Sequence, residues 1–303
     1  MKIIRDSHFK QLEHFIDEAQ YWDLDFKLLG TGGFEGWSKQ LVSEKVLFSH
    51  ARFQRGLDQA GSTPFGYRTF VILGSSCQGF WWRGKQVTQN DLLIFPGNNE
   101  LHAVSYADFE IFTISVQINH LEQLIDTFGL KKISNNQEVV RMDTATAQGL
   151  RKRAITIAKT SGGEVAQLAA YELAEKLVTV AAEARSEKLT RLRQRDRAVD
   201  KVVEFIRNTA SPSAEMAQLC RIANVSERTL QYAFKERYGI APNVFIKRWN
   251  LNAARQQLLR ENSEETTVNN ICMQFNFPHQ SQFAADYKRL FAELPSETLK
   301  RYS

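Results

Sequence analysis

Cysteine and histidine are scarce in this chain, three and six in 303 residues. Cys77, Cys220 and Cys272 are odd in number and fall in different predicted elements, which excludes a disulfide framework. Cys220 and Cys272 occupy apolar helical positions, as small core residues of a reducing compartment do. A metal centre built from adjacent strands wants a His-x-His pair, a nearby Glu and a later His, whereas His50 and His102 stand alone. Neither a nucleophile paired with a base nor a metal-ligand set is evident, so no catalytic residue, metal or cofactor is expected. No run of 18 apolar residues occurs and no leader is evident, which predicts a soluble, cytoplasmic protein. Low-complexity segments are absent too.

What is present suggests two domains of ordinary size, with a hydrophobic content of 43% that suffices for normal cores. Charge divides unevenly. From Glu187 onward 19 Lys and Arg stand against 13 Asp and Glu, while residues 1–186 carry 20 against 21. The positive excess therefore belongs to the C-terminal part, where it favours contact with a phosphate backbone.

The last 90 or so residues repeat one grammar twice, over Ser213 to Tyr238 and Thr266 to Leu290. In the first unit Ser213 is an expected cap, Met216, Leu219 and Cys220 recur at helical spacing, Asn224 takes the turn, and Ser226 caps a second helix over Glu227 to Arg237 that ends at Gly239. Leu230, Ala233 and Phe234 form its buried stripe, leaving Arg228, Thr229, Gln231, Tyr232 and Lys235 on other faces. Arg and Gln make bidentate bonds to guanine and adenine edges, and Thr and Tyr reach phosphates. Each has a blander alternative beside groove contact: Arg228, Lys235 and Arg237 as cations that solvate a helix face, and Gln231 and Gln280 likewise. In the second unit Thr266-Thr267 lead into Val268 to Gln274, Asn276 takes the turn, Phe277 is core, and Pro278 precedes a helix carrying His279 to Lys288 with Phe283 and Tyr287 inward. Between them, Pro242 to Leu259 predicts a helix of roughly 27 Å. Such a spacer suits two reading helices about one duplex turn apart.

These residues resemble the AraC/XylS DNA-binding domain. The resemblance rests on Leu219, Val225 to Gln231, Phe234-Lys235, Tyr238 to Pro242, Ala253-Ala254-Arg255 and the closing Phe283 to Leu299 with Leu294-Pro295-Ser296, about a third of the chain. It implies a transcriptional regulator whose base contacts come from Arg228, Gln231 and Tyr232 in the first unit and His279, Gln280 and Ser281 in the second. Promoter DNA and RNA polymerase are the implied partners. Asn276 stands where the family usually has the turn Gly, and Ala292 replaces the Gly after Phe291. With Ala284 and Ala285 on it, the second reading helix is expected to specify fewer bases.

The N-terminal half differs. Short β-type runs, Gln40 to Val42, Val46 to Gln54, Arg68 to Leu73, Gln78 to Trp82, Asp91 to Pro96 and Phe109 to Val116, suggest a sandwich or barrel. Turn tips are expected at Gly84-Lys85 and at Pro96-Gly97-Asn98-Asn99. Val46 to Gln54 alternates Leu47, Ser49, Ala51 and Phe53 with Phe48, His50, Arg52 and Gln54. Standing before an AraC-like domain, the region is expected to be a cupin-like barrel, giving an α+β chain. Trp37, Trp81, Trp82 and Phe95, with Arg52 and Arg68 near in sequence, either line a small-molecule pocket or fill the barrel, and Trp81 and Trp82 point to opposite faces. Arg52, Trp81, Trp82, Phe95 and His102 are the effector-pocket candidates. Tyr21-Trp22-Asp23 followed by Phe34-Glu35-Gly36 is similar to the opening of the ethanolamine-utilisation operon regulator subgroup, which implies sensing of a small catabolic compound.

Leu121 to Phe128, Thr144 to Thr160 and Gly163 to Arg185 read as helices, the last broad in apolar surface that either pairs subunits into a homodimer or packs on its own barrel. The expected division is a sensor domain over 1–185, a charged connector over 186–200 and a DNA-binding domain over 201–303 that opens on a helix from Val199 to Arg207. Two other readings stay open. One is a cupin-type enzyme with an appended helical domain, and the other an architectural protein that binds DNA without sequence preference.

Overall fold

The computed structural model describes residues 1–77, 79–96, 100–184, 193–209, 213–261 and 266–302. Its contacts group into two units. One comprises Met1–Phe26, Glu35–Gln54 and Gln59–Thr190, the other Lys27–Phe34, Arg55–Asp58 and Arg191–Ser303.

The first unit is built on short strands: β1 (Lys2–Phe9), β2 (Asp23–Leu28), β3 (Gly36–Val42), β4 (Val46–Phe53), β5 (Leu57–Ser62), β6 (Tyr67–Leu73), β7 (Phe80–Trp82), β8 (Lys85–Val87), β9 (Asp91–Ile94), β10 (Glu100–Ser105), β11 (Phe109–Gln117) and β12 (Val139–Arg141), with a short helix α1 (Leu12–Asp17) after β1. They form a seven-stranded sheet ordered β1-β3-β4-β11-β6-β9-β12 and a five-stranded sheet ordered β2-β5-β10-β7-β8. The cupin-like region is thus two separate sheets rather than one closed ladder. Three helices follow, α2 (Ile118–Thr127), α3 (Thr144–Ala158) and α4 (Gly163–Glu183).

Burial explains why alternation along β4 does not separate apolar from polar residues. Phe48, with Phe70, Leu92, Phe112 and Ile114 of neighbouring strands, joins a core shared with Leu150, Ile157, Leu173, Leu177 and Val178 of α3 and α4. The opposite face, carrying Ser49, Ala51 and Phe53, looks onto the second sheet. Both faces are covered, so both accept apolar residues. Most of the apolar surface of α4 is consumed in this core, while Leu168 remains exposed. The hairpin tip is Arg83-Gly84, both in the left-handed region, and Lys85 already belongs to β8. That corrects the expected Gly84-Lys85 tip, because two consecutive positive φ values make the tight turn that matches strand twist. Of the other expected tip, residues 97–99 lie outside the described ones, as does Gln78.

The second unit is helical: α5 (Gln194–Arg207), α6 (Met216–Ala223), α7 (Glu227–Tyr238), α8 (Pro242–Arg260), α9 (Val268–Gln274), α10 (Gln280–Phe291) and α11 (Pro295–Leu299), ending in the 3-10 turn Lys300–Tyr302. The connector expected over 186–200 is corrected in its second half. Residues 194–200 are already α5, whose Ala198, Val199, Val202, Val203 and Ile206 are buried, and an amphipathic stripe of that kind outweighs local charge. Residues 185–192 lie outside the described ones.

Two segments remote in sequence also belong to this unit. The Asn252 amide on α8 donates to the Leu28 carbonyl at 3.0 Å and accepts from the Leu28 amide at 2.8 Å, as a neighbouring strand would. Asp58, 2% exposed, pairs with Arg207 of α5 at 3.0 Å. Lys27 lies 4.3 Å from the ring centre of Trp249, and the amides of Gly32 and Gly33 donate to the carbonyls of Arg289 and Leu290 at 2.9 Å each. Arg248 donates to the Leu29 carbonyl.

Candidate nucleic-acid interface and effector cavity

Each helix pair is positioned by its caps. Asn224 ends α6 with φ 53°, and the Ser226 hydroxyl accepts from the Thr229 amide at 3.3 Å to start α7. The cap of α6 itself is Glu215, not Ser213, and no side chain bonds there. Gly239 closes α7 with φ 71°, the left-handed turn that glycine adopts freely. Leu230 and Phe234 are fully buried, Phe234 against Phe245 of α8 with ring centres 5.5 Å apart.

That inward stripe leaves Arg228, Gln231, Tyr232 and Lys235 exposed and Thr229 half-buried. Gln231 holds Glu227 at 2.8 Å, and Arg195 of α5 lies over the Tyr232 ring at 5.4 Å, so neither side chain is wholly loose. Arg195 also pairs with Glu236 at 2.8 Å. Arg237 does not fit the blander alternative of a solvated cation. It is 5% exposed, ion-paired with Asp200 and bonded to the Asp196 carbonyl at 3.3 Å, because position 237 falls on the inward stripe beside Phe234 and Tyr238.

In the second pair the Thr267 hydroxyl accepts from the Asn270 amide at 3.2 Å to cap α9. Asn276 makes the turn with φ 61°, in the place where a glycine would be free to do so. Phe277 is buried, and Phe283 and Tyr287 fill the interior with no exposed surface. Tyr287 donates or accepts with Thr298 at 2.8 Å, and burial raises its phenol to about 12. His279, the N-cap of α10, and Gln280 and Ser281 in its first turn are all exposed. Helix α8, 19 residues long with Pro242 in its first turn, joins the two pairs and spans roughly 28 Å.

Residues 219–301 match a sequence family described as a helix-turn-helix domain. The XylDLEGF operon transcriptional activator 3 of Pseudomonas putida is 31% identical over 102 residues, which are 34% of this chain and 31% of the relative. A solved structure of a probable AraC family transcriptional regulator from Rhodopseudomonas palustris is 32% identical, covering 35% of this chain and 96% of that one with a TM-score of 0.33. The C-terminal unit carries an AraC/XylS-type helix-turn-helix domain. The probable thc operon regulatory protein of Rhodococcus erythropolis, 33% identical over 98 residues, shares 32% of this chain and 30% of its own length. The chain thus spans about a third of these curated relatives. Within the AraC/XylS-type domain, α7 and α10 are the second helices of the two pairs, and they carry seven of the eight residues singled out in the sequence, with His279 capping α10.

The first unit contains a cavity of about 60 Å³ between its sheets. Its walls include Trp82 and Phe95, packed edge to face at 4.7 Å, together with Phe15, Trp22, Phe26 and Phe53. Three other residues expected there stand elsewhere. Arg52 is exposed and pairs with Glu110 at 2.6 Å, Trp81 is buried on the other face with its indole on the Tyr106 hydroxyl at 3.3 Å, and His102 is exposed. Neither Trp37, bonded to Asp6, nor Arg68, bonded to the Ser134 carbonyl at 2.9 Å, lines it. His50 is buried on the Phe112 ring and holds Glu110 at 2.8 Å. No group of three or more His, Cys, Asp or Glu suited to a metal occurs among the described residues.

Arg5, which the sequence reading passed over, is the charged residue of the cavity wall. It is 5% exposed, donates to the Phe15 carbonyl at 3.0 Å and to Ser38 at 2.8 Å, and lies over the Phe9 and Phe15 rings. Burial pushes its pKa down to about 10, against a partial lift from Glu18. A single Arg in a short run, Lys2 to Phe9, has no periodicity to mark it as inward.

Proposed function

We propose that this chain is a sequence-specific, DNA-binding transcriptional regulator. Its α7 and α10 enter successive major grooves, and its N-terminal unit senses a small molecule. The observation that carries the reading is one helical unit holding two helix pairs, each offering a polar face on its second helix: exposed Arg228, Gln231, Tyr232 and Lys235 with half-buried Thr229 on α7, and exposed Gln280 and Ser281 on α10 with His279 at its N-cap. Arg228 and Gln231 have the donor geometry to read base edges, and Lys235 suits phosphate. Curated relatives named as operon transcriptional activators support activation of an operon, with RNA polymerase as the proposed partner. The likeness of Tyr21 to Asp23 and Phe34 to Gly36 to the ethanolamine-utilisation regulator subgroup supports a catabolic operon as target. Homodimers form through the N-terminal unit, on whose α4 Val165 and Leu168 are exposed.

Binding to random duplexes at several salt concentrations tests the proposal. Lys235→Ala should weaken all sequences alike and lower the salt slope by about one, whereas Arg228→Ala should relax preference at one base pair by about 1–3 kcal/mol. Equal weakening of all sequences by both variants would leave an architectural DNA clamp instead.

A further inference from the structure

The cavity of the first unit contains two buried polar groups that the protein does not satisfy. Arg5 and Gln40 are cross-strand partners in the β1–β3 ladder, so their side chains stand side by side on the cavity face. Each is 5% exposed. The Arg5 Nε and the Gln40 Oε1 have no hydrogen-bond partner. Arg5 forms no ion pair among the described residues; its other donors go to a carbonyl and a hydroxyl, and both of those acceptors are neutral. A buried cation that makes no ion pair, feels only the more distant attraction of Glu18 and keeps a spare N–H is costly in a largely apolar protein interior. The rest of the wall is mainly aromatic or aliphatic, from Trp22, Phe26 and Phe53 to Trp82 and Phe95, with Ser49, Gln59 and Thr113 as its other polar residues.

We propose that this cavity binds a small apolar monocarboxylate, its carboxylate on Arg5 Nε and the Gln40 amide and its hydrocarbon part against the aromatic wall. The inference rests on the sensor reading above for its regulatory meaning, but its chemistry stands on the cavity alone. With the Gln40 amide turned over, its N–H₂ takes the place of Oε1 and gives the anion a second donor, an orientation that protein contacts do not oppose. Size narrows the class further. A cavity of about 60 Å³ accommodates about five water positions, which corresponds to a ligand of roughly six to nine non-hydrogen atoms. Short-chain alkanoates and benzoate fall in that range; sugars, nucleotides and long fatty acids do not.

The test uses the purified full chain, titrated calorimetrically with pentanoate and benzoate and, in parallel, with 1-pentanol and benzyl alcohol. Thermal melts and DNA binding are measured on the same preparation. The acids are expected to bind saturably and raise the melting temperature, with the alcohols at least about 10-fold weaker for want of the charge-assisted bonds. Arg5→Met should abolish acid binding. Because that variant could lose its fold, Gln40→Glu provides the second arm. It places a carboxylate opposite Arg5, so the unliganded protein should melt higher, keep its DNA affinity and lose the acids. Alcohols binding as tightly as acids, or Gln40→Glu retaining the acids, would overturn the assignment, as would no saturable binding of either acid. Failure of the unsubstituted chain to bind either acid while it still binds DNA counts against the cavity ligand alone, whereas absent DNA binding counts against the regulator reading.

Discussion

Replacing Arg237 by Ala should damage the protein in a way that replacing Arg228 by Ala does not, though both are arginines on α7. The Arg237 stem buries about three methylenes, contributing about 2 kcal/mol at ~0.8 kcal/mol each. Its bond to the Asp196 carbonyl adds about 1.5 kcal/mol. The ion pair with Asp200 adds less than about 1 kcal/mol, since that carboxylate is 44% exposed and screened. Relief from burying the guanidinium gives back about 1–2 kcal/mol. The net loss is about 3 kcal/mol, or a fall of roughly 15 °C in melting temperature for a unit of this size. Arg228 is exposed, and its removal should shift stability by no more than about 0.5 kcal/mol. Differential scanning calorimetry on both variants, with DNA affinity measured below either transition, decides the matter. An Arg237→Ala protein that melts like the wild type but loses base preference would refute this assignment of the two arginines.

Three further outcomes follow from the geometry. Ala292 holds φ 62° at the end of α10, so Ala292→Gly should relieve about 1–2 kcal/mol of left-handed strain against roughly 0.4–1 kcal/mol of unfolded-chain entropy, and a rise of a few degrees in melting temperature is expected rather than a fall. Gly61 has φ 136°, and a methyl there would lie 2.0 Å from the Asp23 carbonyl oxygen; Gly61→Ala should cost more than about 3 kcal/mol, read as a collapsed denaturant midpoint or insoluble protein. Glu110 is held below the ordinary carboxylate range first by the His50 hydrogen bond and then, against burial, by Arg52. A depressed carboxylate contributes stability that is complete above its unfolded value near 4.5 and is lost as pH falls through the folded value. Denaturant midpoints should therefore drop on acidification below that point in the wild type, and Glu110→Gln should flatten this limb; identical acid limbs would contradict it.

The helix pairs were legible because their signals are local: a cap at Ser226 and at Thr267, a turn Asn at 224 and 276, and apolar residues at helical spacing between. Core strands β4, β6 and β11 were legible for the same reason, being rich in β-branched and aromatic residues. Strands β1, β2, β5 and β10 escaped notice because runs such as Lys2–Phe9 and Leu57–Ser62 mix charge and apolar residues without clean alternation. The cavity was half legible. Trp82 and Phe95 could be picked as large aromatics, but Arg5 and Gln40 become neighbours only through the β1–β3 register, across 35 residues of sequence. Nor does any local pattern place Lys27–Phe34 and Arg55–Asp58 with the C-terminal helices; that grouping depends on the Asn252 amide reading Leu28 and on Asp58 meeting Arg207. The structural role of Arg237 was not legible because its charge suggests a solvated face, while its position on the inward stripe beside Phe234 buries it.

The measurement that tests the central claim most directly is selection of bound duplexes from a random library by the purified chain, with Arg228→Ala and Gln280→Ala run in parallel. The account predicts one recurring motif in two parts about one helical turn apart, the first part degraded by Arg228→Ala and the second by Gln280→Ala. A pool that stays unselected, or a single-part motif untouched by both substitutions, would contradict it.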